Sequence, residues 1–235
     1  MRGRKIIFWF VFITLILSAV YSIVQFSIAP TQIEPNHDHI KLKSDYLLMF
    51  VQCVLGLVIM LLPTMLEKKF KIEIPNFMYI LFIIFLYSAI YLGEVQSFYY
   101  KIPNWDTILH TFSGAMLGAL GFAVVDILNE SKRVKMMLSP LFVALFALCF
   151  AITLGVVWEI YEYTADGLLG MNMQKFALED GTLLTGRQAL EDTMEDLIVD
   201  ALGAAVISGI GYLNLRRKHK KRELAKQAEG TGEVH

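Results

Sequence analysis

The sequence predicts an all-α polytopic membrane protein with six transmembrane helices, and three observations predict it. Of its 235 residues, 56% are hydrophobic and 18% charged; soluble domains hold about 45–50% and about 25%. The mean hydropathy is +0.53. The apolar surplus falls into six long runs, each near the roughly 20 residues that cross a hydrocarbon core about 30 Å thick. Lysine and arginine collect in alternate connections between those runs, as the positive-inside rule requires of a chain threaded back and forth.

The first run, Ile6–Ile28, follows the basic start MRGRK. Its apolar core is far longer than the 7–15 residues of a signal peptide, and Pro30 follows the nearest small-residue cut, so a retained anchor is expected. The second is Asp45–Leu66 and the third Phe77–Gly93. The fourth, Trp105–Leu128, opens NWDTILHTFSGAMLGALG. The fifth is Leu138–Tyr163 and the sixth Asp192–Leu215. Residues 1–220 then form one transmembrane domain and 216–235 a basic tail. With the N-terminus inside, 16 of the 21 basic residues lie on the inner side and five on the outer: Lys41, Lys43, Lys101, Lys175 and Arg187. Both termini are thus expected in the cytoplasm of a cell (inner) membrane. The tail RRKHKKRELAKQ suits anionic headgroups, and no nucleic-acid partner is expected. Cys53 and Cys149 lie in apolar runs without metal-type spacing, which reads as packing.

This threading sends acids from four helices to the outer side. Glu94 ends the third run. Asp106 and His110 open the fourth. Glu159, Glu162 and Asp166 close the fifth, and Asp192, Glu195, Asp196 and Asp200 open the sixth. At about 1.5 Å per residue, Asp200 lies about 12 Å deeper than Asp192, and Glu159 about 10 Å deeper than Asp166. A charged acid at such depth costs at least about 2.5–3.5 kcal/mol, so it must face the bundle interior, water, a cation or another polar group. Spacing agrees, because positions i and i+4 share a helix face. Asp192, Asp196 and Asp200 make one stripe that Gly203 continues. Asp106 and His110 make another, continued by Gly114 and Gly121, and Gly155 lies one turn deeper than Glu159. Such small residues permit close helix approach. An outward cleft lined by acids and floored by glycines is expected.

Carboxylates with one imidazole suit a divalent metal ion: Mg²⁺, Mn²⁺ or Ca²⁺ by the oxygens, Zn²⁺ or iron with His included. Three chemistries stay open: metal activation of water or of a phosphate or carbonyl, acid–base catalysis by an acid paired with His110, and proton relay in a transporter. Structural readings compete: Asp106 fits an N-cap, and Asp192 and Glu195 fit the positive end of a helix. Other features read more plainly. HDH, His37–His39, reads as a solvated loop, and SFYYKIPNW and Trp158 as interfacial aromatic anchors. Arg187 suits either an anionic headgroup or an ion pair with Glu191 or Asp192.

The motifs WDTILHTFSG, GVVWEIYEY and DTMEDLIVDALGA together resemble the YjdF-like family of bacterial inner-membrane proteins over about residues 94–215. That resemblance implies the six-span layout rather than a chemistry. More distantly, the chain resembles VanZ-like membrane proteins, associated with teicoplanin resistance. Asp106 and His110, Glu159, Arg187, then Asp196 and Gly203 match their order, while Glu162 and Asp200 stand where that pattern has Gln and Asn. Both departures add an acid. The leading expectation is an envelope protein, a metal-dependent enzyme acting on a lipid-linked or amphipathic substrate. Asp106, His110, Glu159, Asp196 and Asp200 would hold the cation or move protons, Glu162, Asp192 and Glu94 would support them, and Arg187 would hold a headgroup. A proton- or cation-coupled transporter is the alternative, although no inverted repeat with broken helices is evident. A structural membrane subunit is the third reading. Substrate, metal and oligomeric state stay open.

Overall fold

The computed structural model describes residues 2–31, 41–71, 73–130, 138–178 and 182–232. His37–His39 and the basic residues Lys132, Arg133 and Lys135 lie outside them. Helix α1 is Arg2–Ile28, α2 Lys43–Ile59, α3 Leu62–Phe70 and α4 Asn76–Leu86. A π-helical segment, Tyr87–Val95, prolongs α4. Then come α5 Phe98–Lys101, α6 Trp105–Glu130, α7 Pro140–Leu169 and α8 Gln188–Gly232. Among the described residues six helical stretches are long and apolar enough to cross a membrane, as expected. Their limits are 3–28, 43–70, 76–95, 105–128, 140–169 and 188–225.

Two differences from expectation have local causes. The second span is broken at Met60–Leu61, because Pro63 in the first turn of α3 lacks an N–H and crowds the carbonyl four residues back. The basic tail is helical, as α8 runs unbroken to Gly232. Its Arg, Lys, Glu, Leu and Ala residues are strong helix formers, and neither Pro nor Gly interrupts them between Gly211 and Gly230.

The helices pack as two compact units. Unit 1 is Met1–Leu109 with Trp158–Asp196, and unit 2 is His110–Val157 with Leu197–His235. The main core of unit 1 joins Val11, Leu15 and Ala19 of α1 to Cys53 and Met60 and to Tyr79, Ile83, Leu86 and Ile90. A second cluster gathers Leu48, Ala165, Met171 and Met173, with Trp158 and Tyr161 packed against it. Trp158 packs against this cluster, its ring 5.2 Å from that of Tyr161. Arg4 holds Glu67 through a pair of hydrogen bonds of 3.1 and 2.8 Å and lies 3.8 Å from the centre of the Tyr79 ring. This part-buried, forked pair ties α1 to α3. Glu67→Gln is expected to lower unfolding stability in detergent by about 1 kcal/mol, at the upper end of exposed ion pairs.

Unit 2 is held by small residues. Ala144, Ala147, Ala151 and Ala204 are buried, and Gly114, Gly118 and Gly121 mark one side of α6. A methyl at Gly118 would stand 3.4 Å from the Ala204 backbone, and one at Gly121 would stand 2.7 Å from the Ala147 Cα. A methyl at Gly203 would meet the Thr111 carbonyl, and one at Gly114 the Asp200 carbonyl. Backbones this close gain dispersion contacts that lipid cannot supply. On α8 the residues Asp196, Asp200, Ala204 and Ser208 are buried, whereas Ile198, Leu202, Val206 and Ile210 are exposed. Both sets recur every four residues, so one face of α8 is internal and polar at its start while the other is apolar and outward.

Candidate functional site

Unit 1 contains seven of the expected site residues: Glu94, Asp106, Glu159, Glu162, Arg187, Asp192 and Asp196. Asp196 is 3%, Glu159 6% and Glu162 7% exposed, so these acids do not face lipid or bulk water. Asp106 and Asp196 offer carboxylate oxygens within 4.8 Å of one another. Oxygen ligands of one divalent cation, each about 2.0–2.6 Å from it, fall within that separation. Thr107, beside Asp106, donates to Glu195 at 3.0 Å and pins the start of α6 to the start of α8. Asp106 lies in the first turn of α6 and so also complements its N-terminus.

Glu94 reaches this group through the π-helical segment. The Gln96 N–H donates to the Tyr91 carbonyl at 2.9 Å, five residues back, which widens the last turn. Single π turns recur at functional sites because they re-aim side chains. Lys41 donates to the Glu94 carbonyl at 3.3 Å, and Lys175 Nζ stands 4.0 Å from Glu94 Oε1.

Lys175 and Tyr99 are the residues that sequence reasoning missed. Tyr99 lies in the stretch read as an aromatic belt. Its ring occupies the space that a side chain at Gly93 would need, its atom Cζ only 2.7 Å from the position of a methyl there. Burial pushes the Tyr99 hydroxyl well above its ordinary range, and the charges of Asp106, Glu94, Glu162 and Asp196 push it further. Lys175 Nζ lies 4.7 Å from the centre of the Tyr99 ring and 3.4 Å from the Met173 carbonyl. Its backbone is left-handed, with φ of 49°, an uncommon state for a side-chain-bearing residue. The preceding loop enforces that state. Asp166 accepts from the Met173 and Gln174 N–H groups at 2.8 and 3.0 Å, and Asn172 bonds both backbone groups of Ala177 at 2.7 and 3.0 Å. Gln174 donates to Thr193 at 2.9 Å. Asp166, counted among the outward acids, therefore shapes the loop that delivers Lys175.

Burial opposes the charge on Lys175, but Glu94, then Asp106, Tyr100 and Asp192, outweigh it and hold the amine above its ordinary value of 10.5. A raised value in the folded state means that this charge stabilises at every pH below the unfolded value and stops doing so as pH rises through the folded one. Lys175→Met is expected to destabilise unit 1 by on the order of 3 kcal/mol, since it leaves part-buried carboxylates without their main cation. The gap between wild type and variant, followed by unfolding in detergent, stays constant from neutral pH to about pH 10 and narrows only above it.

His110 and Asp200 both fall in unit 2 and meet there. His110 Nδ1 is 3.3 Å from Asp200 Oδ2, and Ser113 Oγ donates to Asp200 Oδ1 at 2.7 Å. Asp200 is 5% exposed. Along α6, His110 follows Asp106 by one turn, and along α8, Asp200 follows Asp196 by one turn. Arg187, expected to hold a headgroup, is exposed just ahead of α8, after Gly186 with φ of 60°.

Six apolar spans, with buried carboxylates in the first turns of α8 and near the end of α7, define a multi-pass helical membrane protein. A model of the DUF2238 family of predicted membrane proteins matches residues 39–217, and the chain belongs to that family. An uncharacterized protein of Thermotoga maritima is 31% identical over 130 residues, which is 55% of this chain and 57% of that protein. The match thus spans a little over half of that relative's length. No solved structure matches the chain.

Proposed function

We propose that this chain is a multi-pass protein of the cell membrane, with both termini cytoplasmic, that binds a divalent cation through Asp106 and Asp196 and uses it on a lipid-linked or amphipathic substrate. The observation that carries the reading is the approach of those two carboxylates within 4.8 Å, one of them buried. Glu159 and Glu162 are the further acids of unit 1 available to the cation or to a proton transfer, and Asp192 and Glu94 support them through their attraction for Lys175. In unit 2, His110 and Asp200 are the paired groups suited to proton transfer. A cation so held polarises a phosphate or carbonyl oxygen and lowers the pKa of a bound water toward neutrality. Lys175, rather than the exposed Arg187, is the cation best placed to attract an anionic headgroup, because it is fixed by its loop.

The YjdF-like likeness supports the inner-membrane location and the orientation, and the excess of inner lysine and arginine supports it independently. The VanZ-like likeness rests on three short motifs. A second reading, cation- or proton-coupled transport, draws on the π-helical interruption of the third span at Glu94. Purified protein offered phospholipids, polyprenyl phosphates and their esters with Mg²⁺ or Mn²⁺ separates the two. Chelator-sensitive turnover supports the enzyme. Cation-driven flux into vesicles without turnover transfers the same acids to transport.

A further inference from the structure

We propose that a pocket at the start of α2 binds the head of a zwitterionic phospholipid, an aminoalkyl phosphate ester such as phosphatidylethanolamine. The cavity measures about 200 Å³ and lies wholly within unit 1. The start of α2, the end of the π-helical segment and the loop after α7 line it. Its polarity runs in layers. On α2, Ser44 and Asp45 stand one turn, about 6 Å, ahead of Leu48 and Met49 on the same face. Leu48, Met49 and Met171 are buried and form an apolar floor. Lys41, Asp45 and Glu94 put charge around the wall, and Leu178 and Leu183 make an exposed apolar lip. The second span starts at Lys43, so the charged wall lies at headgroup level and the floor toward the hydrocarbon. A phospholipid has the same order along its length. The loop wall is held in place by its own bonds. Asn172 bonds both backbone groups of Ala177, the Leu178 N–H donates to the Thr182 carbonyl at 2.9 Å, and the Leu184 N–H donates to the Phe176 carbonyl at 2.9 Å. A wall ordered beforehand reduces what a ligand loses on binding.

Charge selects the head. Asp45 and Glu94 bring two carboxylates and Lys41 one ammonium, and Lys175 Nζ, 4.0 Å from Glu94 Oε1, brings a second ammonium. The local sum is zero with both signs present. A head that carried phosphate alone would meet the carboxylates, and one that carried an amine alone would meet the lysines. A head with both groups finds an opposite charge for each. The attraction is one of charge, so it persists while these groups keep their contacts within the protein, Lys41 with the Glu94 carbonyl at 3.3 Å and Asp45 with the Leu42 N–H at 2.7 Å. Size sets a further limit. The cavity is smaller than the about 300–1,000 Å³ that encloses a drug-sized ligand, so it takes a headgroup and not a whole lipid. It also favours a primary ammonium over a trimethylammonium, which is bulkier and offers no N–H to a carboxylate. The pocket is lined by residues other than Asp106 and Asp196, so lipid binding there needs no divalent cation.

The test is native mass spectrometry of the detergent-purified full chain in the presence of chelator, offered phosphatidylethanolamine, phosphatidylcholine and phosphatidylglycerol with identical acyl chains. The expected result is one phosphatidylethanolamine bound per chain, preferred over each of the other two by about tenfold, the worth of one hydrogen bond to a charged group. Ser44→Trp fills the pocket from α2 while keeping every charge, and it is expected to lose that preference at an unchanged unfolding temperature. Lys41→Gln removes the cation that faces the phosphate, and it is expected to weaken phosphatidylethanolamine binding by about tenfold. Equal binding of the three lipids, a preference for phosphatidylcholine or phosphatidylglycerol, or wild-type binding by either folded variant overturns the proposal. So does displacement of the lipid by an equal concentration of free phosphoethanolamine, which would make the pocket a site for a soluble zwitterion. Should Ser44→Trp fail to fold, the wild-type preference and Lys41→Gln decide the proposal.

Discussion

Asp196→Asn is expected to be at least as stable as wild type without divalent cations and less stable with them. Asp196 and Asp106 are carboxylates within 4.8 Å of each other, and Asp196 is 3% exposed. Like charges at that separation, partly removed from water, oppose folding. Neutralising one of them relieves that repulsion. A bound cation reverses the balance. At a concentration 100 times the dissociation constant it stabilises the form that binds it by about 2.7 kcal/mol. The curves of unfolding stability against Mg²⁺ or Mn²⁺ for wild type and variant should therefore cross. Parallel curves, with the variant destabilised throughout, would mean that Asp196 only joins helices.

The second large effect lies in unit 2. Gly203→Leu and Gly114→Val are expected to cost about 3 kcal/mol or more and to abolish function together with folding. The first methylene at Gly203 already meets the Thr111 carbonyl, and that at Gly114 meets the Asp200 carbonyl. These are backbone atoms that cannot swing aside, so overpacking exceeds the usual 1–3 kcal/mol. Gly209 supplies the internal control. It lies in α8 with open space around it, and Gly209→Ala is expected to gain up to about 1 kcal/mol from helix propensity. Equal responses at Gly203 and Gly209 would contradict the packed seam.

The spans and the acid stripes were legible in the sequence because both are strictly local signals. Hydrophobic length sets the span, and a spacing of four sets the shared face. That rule foresaw the shared face of Asp196 and Asp200, both buried, whereas Asp192 of the same stripe is only part-buried. It could not foresee Lys175. Its place depends on a left-handed backbone and on a loop held by Asp166 and Asn172, which no periodicity encodes. Tyr99 was hidden for a related reason. An aromatic next to polar residues at a span end reads as an interfacial anchor, and only the missing side chain at Gly93 turns it inward. A glycine six residues before a tyrosine was the available signal, too weak to use alone. The π-helical turn that carries Glu94 leaves no mark in composition, since it arises from the way Gln96 bonds back to Tyr91. Arg187 stood out as a rare outer-side arginine, but rarity says nothing about burial, and it is exposed.

The central claim is that carboxylates of unit 1 hold a divalent cation. The most direct measurement is the number of Mn²⁺ ions bound per chain, by electron paramagnetic resonance of detergent-purified protein, beside the Asp106→Asn/Asp196→Asn variant. The account predicts one tightly bound Mn²⁺ in wild type. It also predicts an affinity lower by more than about 100-fold in a variant that remains folded, beyond the about 10–100-fold seen for outer-shell partners. Equal binding by both proteins, or none by a well-folded wild type, would contradict it.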